Sequence, residues 1–155
     1  MTRLALLVST VGGIGYAPVA PGTFGSAAGL VLLLGVRAAG WPALAELALI
    51  ALLFAIGSWS GSVAEQHFGR TDPGYIVLDE VVGMLITLWL LPVNTTGAVT
   101  GFLLFRVLDI LKPFPARRIE RLHGGLGVMA DDALVGIYGN LFLRLLIWWV
   151  PGWLT

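Results

Sequence analysis

The chain has 155 residues, of which 57% are hydrophobic and 12% charged, and its nine basic and nine acidic side chains cancel. A soluble domain carries about twice that charged fraction, so a mean hydropathy of +0.91 points to one membrane-embedded domain covering residues 1–155. The zero net charge argues against a nucleic-acid partner, and the lack of cysteine excludes disulfides, thiolate metal sites and a cysteine nucleophile.

The opening stretch LALLVST is short, and glycines break it before any small-residue cleavage site, so no cleaved signal peptide is expected. The following VGGIGYAPVAPGTFGSAAG is dense in Gly and Pro. It reads as an irregular loop, which re-enters the membrane or lies flat on it, ending at a helix N-terminus near Thr23 or Ser26. A first membrane helix is expected over 24–37, stopping at Arg37, and a second over 43–64. The polar segment EQHFGRTDPGY turns at Asp72-Pro73-Gly74. A third helix is expected from near Ile76 to Pro92, and a fourth over 97–111, where KPFP forbids continuation. The stretch ARRIERLHGG suits a basic interfacial helix, and a fifth membrane helix covers 127–149 before Pro151-Gly152. The expected fold is therefore all-α, an integral membrane bundle of about four to five spanning helices. Gly25/Gly29, Gly57/Gly61 and Gly97/Gly101 place glycines four apart, which lets helix backbones approach closely in lipid.

Positive charge in short loops marks the cytoplasmic side, which puts Lys112, Arg117, Arg118 and Arg121 inside. Threading the helices from there leaves the amino terminus inside, with PVNTTG and the carboxyl terminus outside. The Arg37 turn also falls outside, against the rule. Asp72, Asp79, Glu80, Asp109, Asp131 and Asp132 then lie at the cytoplasmic ends of their helices with the loop around Thr23, and Glu46 lies near the outer face. Carboxylates near hydrocarbon are costly and persist mainly when they pair or bind a cation. Clustered acids without thiols favour a hard ion, Mg2+ above all. With Lys112, Arg106 and Arg117 to grip an anion and a Gly-rich loop before a helix N-terminus, the group suits a phosphorylated lipid headgroup at the inner interface.

Blander readings compete. Asp79 and Glu80 are adjacent and point about 100° apart on a helix, so they are not expected to face one spot; Asp131 and Asp132 share that geometry. First-turn acids also complement a helix dipole without further function. Arg106, Asp109 and Lys112 recur at three-residue spacing on one face, as a structural salt-bridge ladder would. Thr23 serves a phosphate or caps the first helix. Arg117, Arg118 and Arg121 form a headgroup or orientation patch, with substrate gripping the sharper alternative. His67 and His123 read as loop residues, the six tryptophans and Tyr138 as interface anchors and packing, and Arg144 as a side chain snorkelling outward.

The segments PVAPGTFGSAAG, IVLDEVVGMLITL and FRVLDILKPFPARRIERLHGGLGVMADDALVGIYGN together resemble the phosphatidylglycerophosphatase A family, from about Gly13 to Asn140. One departure stands out: Val135-Gly136 occupies the place of a small Ala-Gly pair. The resemblance implies a helical bundle in the bacterial inner membrane, multi-pass, with its site toward the cytoplasm. It implies a Mg2+-dependent phosphatase that converts phosphatidylglycerophosphate to phosphatidylglycerol and inorganic phosphate. It carries over to Asp79 and Glu80, to Asp109 and Lys112, to Asp131 and Asp132, and to Thr23. The expected mechanism is metal-assisted hydrolysis without a phosphoenzyme. One of Asp79 and Glu80 and one of Asp131 and Asp132 would hold Mg2+, a spare carboxylate would take a proton from water, and Lys112 with Arg106 or Arg117 would neutralise the phosphate. Cys-x5-Arg, Asp-x-Asp-x-Thr, the Lys/Arg/His set of phosphohistidine lipid phosphatases and the spaced Asp pattern of CDP-alcohol phosphotransferases are all absent. The rivals are another Mg2+-dependent phospholipid headgroup enzyme, a small membrane ion carrier whose acids would lie at mid-membrane depth, and a lipid-binding scaffold. No obligate protein partner is evident.

Overall fold

The computed structural model describes residues 1–119, 122 and 124–155, so Glu120, Arg121 and His123 of the basic stretch and its loop lie outside the described residues. Among the described residues the chain forms α1 (Thr2–Ser9), a single 3-10 turn (Ile14–Tyr16), α2 (Pro21–Ala38), α3 (Ala43–Phe68), α4 (Leu78–Leu88), α5 (Thr95–Leu111), α6 (Ala116–Ile119), α7 (Gly125–Trp149) and α8 (Pro151–Leu154), with no strand. Three of these helices, α2, α3 and α7, are long and apolar enough to cross a membrane.

Boundaries shift from the sequence expectation for local reasons. The opening segment is helical, and the Gly/Pro loop is confined to residues 10–20, with the 3-10 turn inside it. Helix α2 begins at Pro21 rather than near Thr23 or Ser26, because proline at the first helical position has a pre-set φ and needs no N–H acceptor. The third helix does not reach Pro92: α4 has 11 residues and ends at Leu88, beyond which Trp89 is extended and Leu90 has φ 59. At 1.5 Å per residue α4 is about 16 Å long, roughly half of a hydrocarbon core. Of the basic stretch, one turn over Ala116–Ile119 is helical among the described residues.

Helix α4 forms the centre of the bundle, packed on α7, α2, α3 and α5. Most of its residues are buried, Val82, Met84 and Leu88 completely. Small residues permit this packing. A Cβ at Gly25 or Gly29 would come within 2.8 Å of the carbonyl oxygens of Val77, the N-cap of α4, or Val81 on it. On α3, Gly57 and Gly61 meet Met129 and Gly125 of α7. Val135 is fully buried in the core beside the close crossing of Gly136 on Gly83.

A helix that ends inside a bundle leaves its last carbonyls without intrahelical partners. Asn140 Nδ2 of α7 donates to the carbonyls of Ile86, Thr87 and Trp89 at 2.9–3.1 Å. Arg37 donates to those of Leu88 (2.8 Å) and Leu91 (3.0 Å) while pairing with Glu46 at 3.0 Å. Arg144 Nε donates to Asn140 Oδ1 at 2.8 Å. Arg144 thereby orients the amide that closes α4, and Glu46 neutralises the charge of Arg37.

Candidate active site

The opposite end of α4 begins after a turn in which Asp72 has φ 42, and Val77 N–H donates to Ser9 O of α1 at 3.0 Å. That anchor places Asp79 and Glu80 in the first turn of α4, facing Asp132 of α7. One carboxylate oxygen from each of Asp79, Glu80 and Asp132 lies within 4.8 Å of the other two. The adjacency of Asp79 and Glu80 does not keep them apart, contrary to the expectation from their angular separation. The longer glutamate side chain reaches round to the site. It passes Gly22 at the start of α2, where a Cβ would overlap the Glu80 carboxylate.

Asp131 and Asp132 do divide as their separation requires. Asp132 joins the trio, whereas Asp131 Oδ2 accepts a hydrogen bond from Lys112 Nζ. Asp132 is the eighth residue of α7, about 10 Å along its axis, so the first turn of α4 meets α7 well inside that helix and not at its end. Lys112 follows α5 as its C-cap in the left-handed region, φ 42, which turns its side chain across to α7. Burial opposes its charge, but Asp131, and beyond it Asp132 and Asp72, outweigh burial and raise its pKa.

Arg106, six residues earlier on α5, donates to Asp109 Oδ2 at 2.6 Å and to Ser26 Oγ at 3.4 Å, and its guanidinium lies 4.0 Å from Glu80 Oε1. The evenly spaced trio on α5 is thus not one ladder: Arg106 and Asp109 pair, while Lys112 leaves the helix for Asp131. Thr23 sits in the first turn of α2, half-buried, and is not the cap, since Ala20 holds that position without a side-chain bond. Arg117 is exposed, and its Nη2 donates to Leu111 O at 2.9 Å.

Glu65 and Ser62 of α3 were not among the residues singled out by the sequence. Glu65 accepts from Asp72 N–H (2.9 Å) and Gly124 N–H (2.7 Å), and Ser62 Oγ accepts from Gly125 N–H (2.8 Å). Together they fix the turn before α4 and the start of α7, the two segments that deliver the trio. A signal was present: Glu65 lies in the last turn of α3, where a negative charge opposes the helix dipole and so needs another partner.

Asp79 Oδ1, Glu80 Oε2, Arg106 Nε, Asp131 Oδ1 and Asp132 Oδ2 are buried and have no hydrogen-bond partner. Among the described residues these are the buried side-chain polar atoms left unpartnered, and all five fall in this one cluster. Buried polar atoms are otherwise almost always satisfied, and an unpaired buried oxygen costs roughly 1–3 kcal/mol. Three mutually facing carboxylates with orphaned oxygens make a donor set suited to a hard divalent cation, and the neighbouring Lys112 and Arg106 suit an anion beside it.

The family model described as Phosphatidylglycerophosphatase A matches residues 7–147. A phosphatidylglycerophosphatase A of Escherichia coli K12 is 37% identical over 81% of this chain and 73% of its own length. One from Haemophilus influenzae Rd is 38% identical over 89% of this chain and 85% of its own. A Bacteroides thetaiotaomicron protein, provisionally named a phosphatidylinositol-3-phosphatase, is 35% identical over 94% of both chains. No solved structure matches the chain significantly.

Proposed function

The chain belongs to the phosphatidylglycerophosphatase A family, and on that premise we propose that it hydrolyses phosphatidylglycerophosphate to phosphatidylglycerol and inorganic phosphate, with Mg2+ as cofactor. The observation that carries the reading is the convergence of orphaned oxygens from Asp79, Glu80 and Asp132 beside two cationic side chains. Those three residues would hold the ion. When bound, Mg2+ supplies Lewis-acid polarisation of the phosphoryl group and a lowered pKa for water.

The remaining roles belong to the chain's own side chains. Lys112 and Arg106 neutralise charge on the equatorial phosphoryl oxygens as the ester bond breaks. Asp109 and Ser26 keep the Arg106 guanidinium oriented. Asp131, held by Lys112 through Oδ2, presents its unpartnered Oδ1 as the acceptor for the proton of attacking water. The water oxygen bonds to phosphorus, the ester oxygen leaves with the pair of electrons, and the same carboxyl group returns a proton to that alkoxide.

In the membrane, α2, α3 and α7 span, α5 with its 17 residues nearly does, and α4 enters halfway and stops in the bundle. This gives the four to five apolar segments their topology in a bacterial inner membrane. Lys112, Arg117 and Arg118 face the cytoplasm with the acid site. An ion carrier is disfavoured because the second polar group, around Arg37 and Glu46, is fully paired and offers no onward path. The provisional phosphatidylinositol-3-phosphatase name describes the same kind of molecule, a lipid phosphodiester bearing a further phosphomonoester.

The test is phosphate release by the purified chain in detergent, with Mg2+ or with chelator, on phosphatidylglycerophosphate and on phosphatidylinositol 3-phosphate. Chelator-sensitive release from phosphatidylglycerophosphate is expected. Release that ignores the chelator removes the metal, a preference for the inositol lipid shifts the substrate, and inertness toward both ends the proposal.

A further inference from the structure

Phosphatidylglycerophosphate and phosphatidylinositol 3-phosphate share an inner phosphodiester, and the acidic site accounts only for the outer phosphate. We propose that a cleft beside that site, lined by Lys112, Phe114, Arg117 and Arg118, is a subsite for the inner phosphodiester of the lipid; the inference rests on the phosphatase reading. Lys112 links the two places, because it lines the cleft and also donates to Asp131. A ligand with two anionic phosphates one glycerol apart can therefore meet one continuous cationic surface.

The arginines are posed rather than loose. The Arg118 guanidinium lies 4.8 Å from the centroid of the Phe114 ring, and Arg117 is tied to the carbonyl of Leu111. Stacking on an aromatic face leaves the edge of a guanidinium free for two parallel hydrogen bonds, the geometry that phosphate oxygens accept. The neighbouring surface also suits a lipid. Ile110, Leu111 and Phe114, which precede the arginines in the chain, are 71%, 59% and 70% exposed. In a bilayer that junction of apolar and cationic surface falls where acyl chains meet the first phosphate. A patch that merely held the protein against anionic membrane would need neither the cleft nor the contact with the catalytic lysine.

Arg117→Gln and Arg118→Gln in the full chain test this, with helix content and thermal midpoint as the check on folding. For each variant KM for phosphatidylglycerophosphate is expected to rise about tenfold, the loss of a charge-assisted hydrogen bond, with kcat within about twofold. Binding is measured separately, in chelator, to dodecyl maltoside micelles carrying phosphatidylglycerol, which retains only the phosphodiester, or oleate at equal charge. Affinity for the phosphatidylglycerol micelles should fall about tenfold and that for oleate micelles less than twofold. Parallel losses on both micelles would show a general membrane patch, and undiminished phosphatidylglycerol binding would show that the arginines do not hold the phosphodiester; either overturns the subsite. Should the wild-type chain leave phosphatidylglycerophosphate intact, the phosphatase reading fails, and the binding measurement still decides the cleft.

Discussion

At its carboxyl end α4 stops within the bundle, where Asn140 and Arg37 donate to its last carbonyls, Arg144 orients Asn140 and Glu46 neutralises Arg37. At its amino end Asp79 and Glu80 meet Asp132, and each keeps one buried oxygen without a partner. The same short helix thus joins a closed polar network to an open one. Polar groups buried for stability are expected to be satisfied, since a half-satisfied network is worse than an apolar core. The open end is therefore the one shaped for something other than the chain itself. The two ends should respond to change in opposite senses.

The largest effect is expected from Asp132→Asn, which should lower phosphate release by roughly 10³, about 4 kcal/mol of transition-state stabilisation. Its thermal midpoint in chelator should equal or exceed that of the unaltered chain, because a buried like charge is removed. A variant that unfolds instead would make the acid cluster structural and erase the contrast. At the other end, Asn140→Leu removes the Nδ2 donor shared by the carbonyls of Ile86, Thr87 and Trp89 and should cost about 3 kcal/mol in denaturant unfolding. Activity per folded molecule should persist; a stable Asn140→Leu chain would mean that the closed network is dispensable.

Added Mg2+ sharpens the comparison next. At about a hundred times its dissociation constant it should raise stability by about 2.7 kcal/mol. That gain should vanish in Asp132→Asn and survive in Asn140→Leu, so an equal gain in both variants would put the ion elsewhere. Gly22→Ala is expected to have the smallest effect. Its Cβ overlaps the Glu80 carboxylate, so phosphate release should fall about tenfold, ~1.4 kcal/mol, by displacement rather than loss of a ligand. If Gly22→Ala has full activity, Glu80 has room to move and its observed position does not matter.

Much of the site could be read from the chain because cost in hydrocarbon singles out ionisable residues. The acids at Asp79, Glu80, Asp109, Asp131 and Asp132 stood out against apolar neighbours, and so did Lys112 and Arg106. The 100° rule anticipated that Asp131 and Asp132 would part, and it failed for Asp79 and Glu80, since it describes where Cβ points and not how far a glutamate reaches. Glu65 escaped notice because its partners are backbone N–H groups of distant loops, which no side-chain pattern announces. The length of α4 was misjudged for a related reason. From Val81 to Leu91 every residue but Thr87 is apolar or glycine, and hydropathy does not reveal that the backbone leaves the helix at Trp89.

What composition and periodicity determined by themselves was an all-helical membrane chain, with its acids gathered toward one face and its glycines placed for close helix crossings. These follow from solvent preference and helical spacing, which are local properties of residues. The tertiary structure alone decided that α4 is a half-length central helix, that Asp132 and not Asp131 completes the trio, and that Arg37 and Glu46 pair at the far end. Each of those outcomes depends on which groups the packing of α2, α5 and α7 around α4 brings within hydrogen-bonding distance, and that is set by three-dimensional contact rather than by position along the chain.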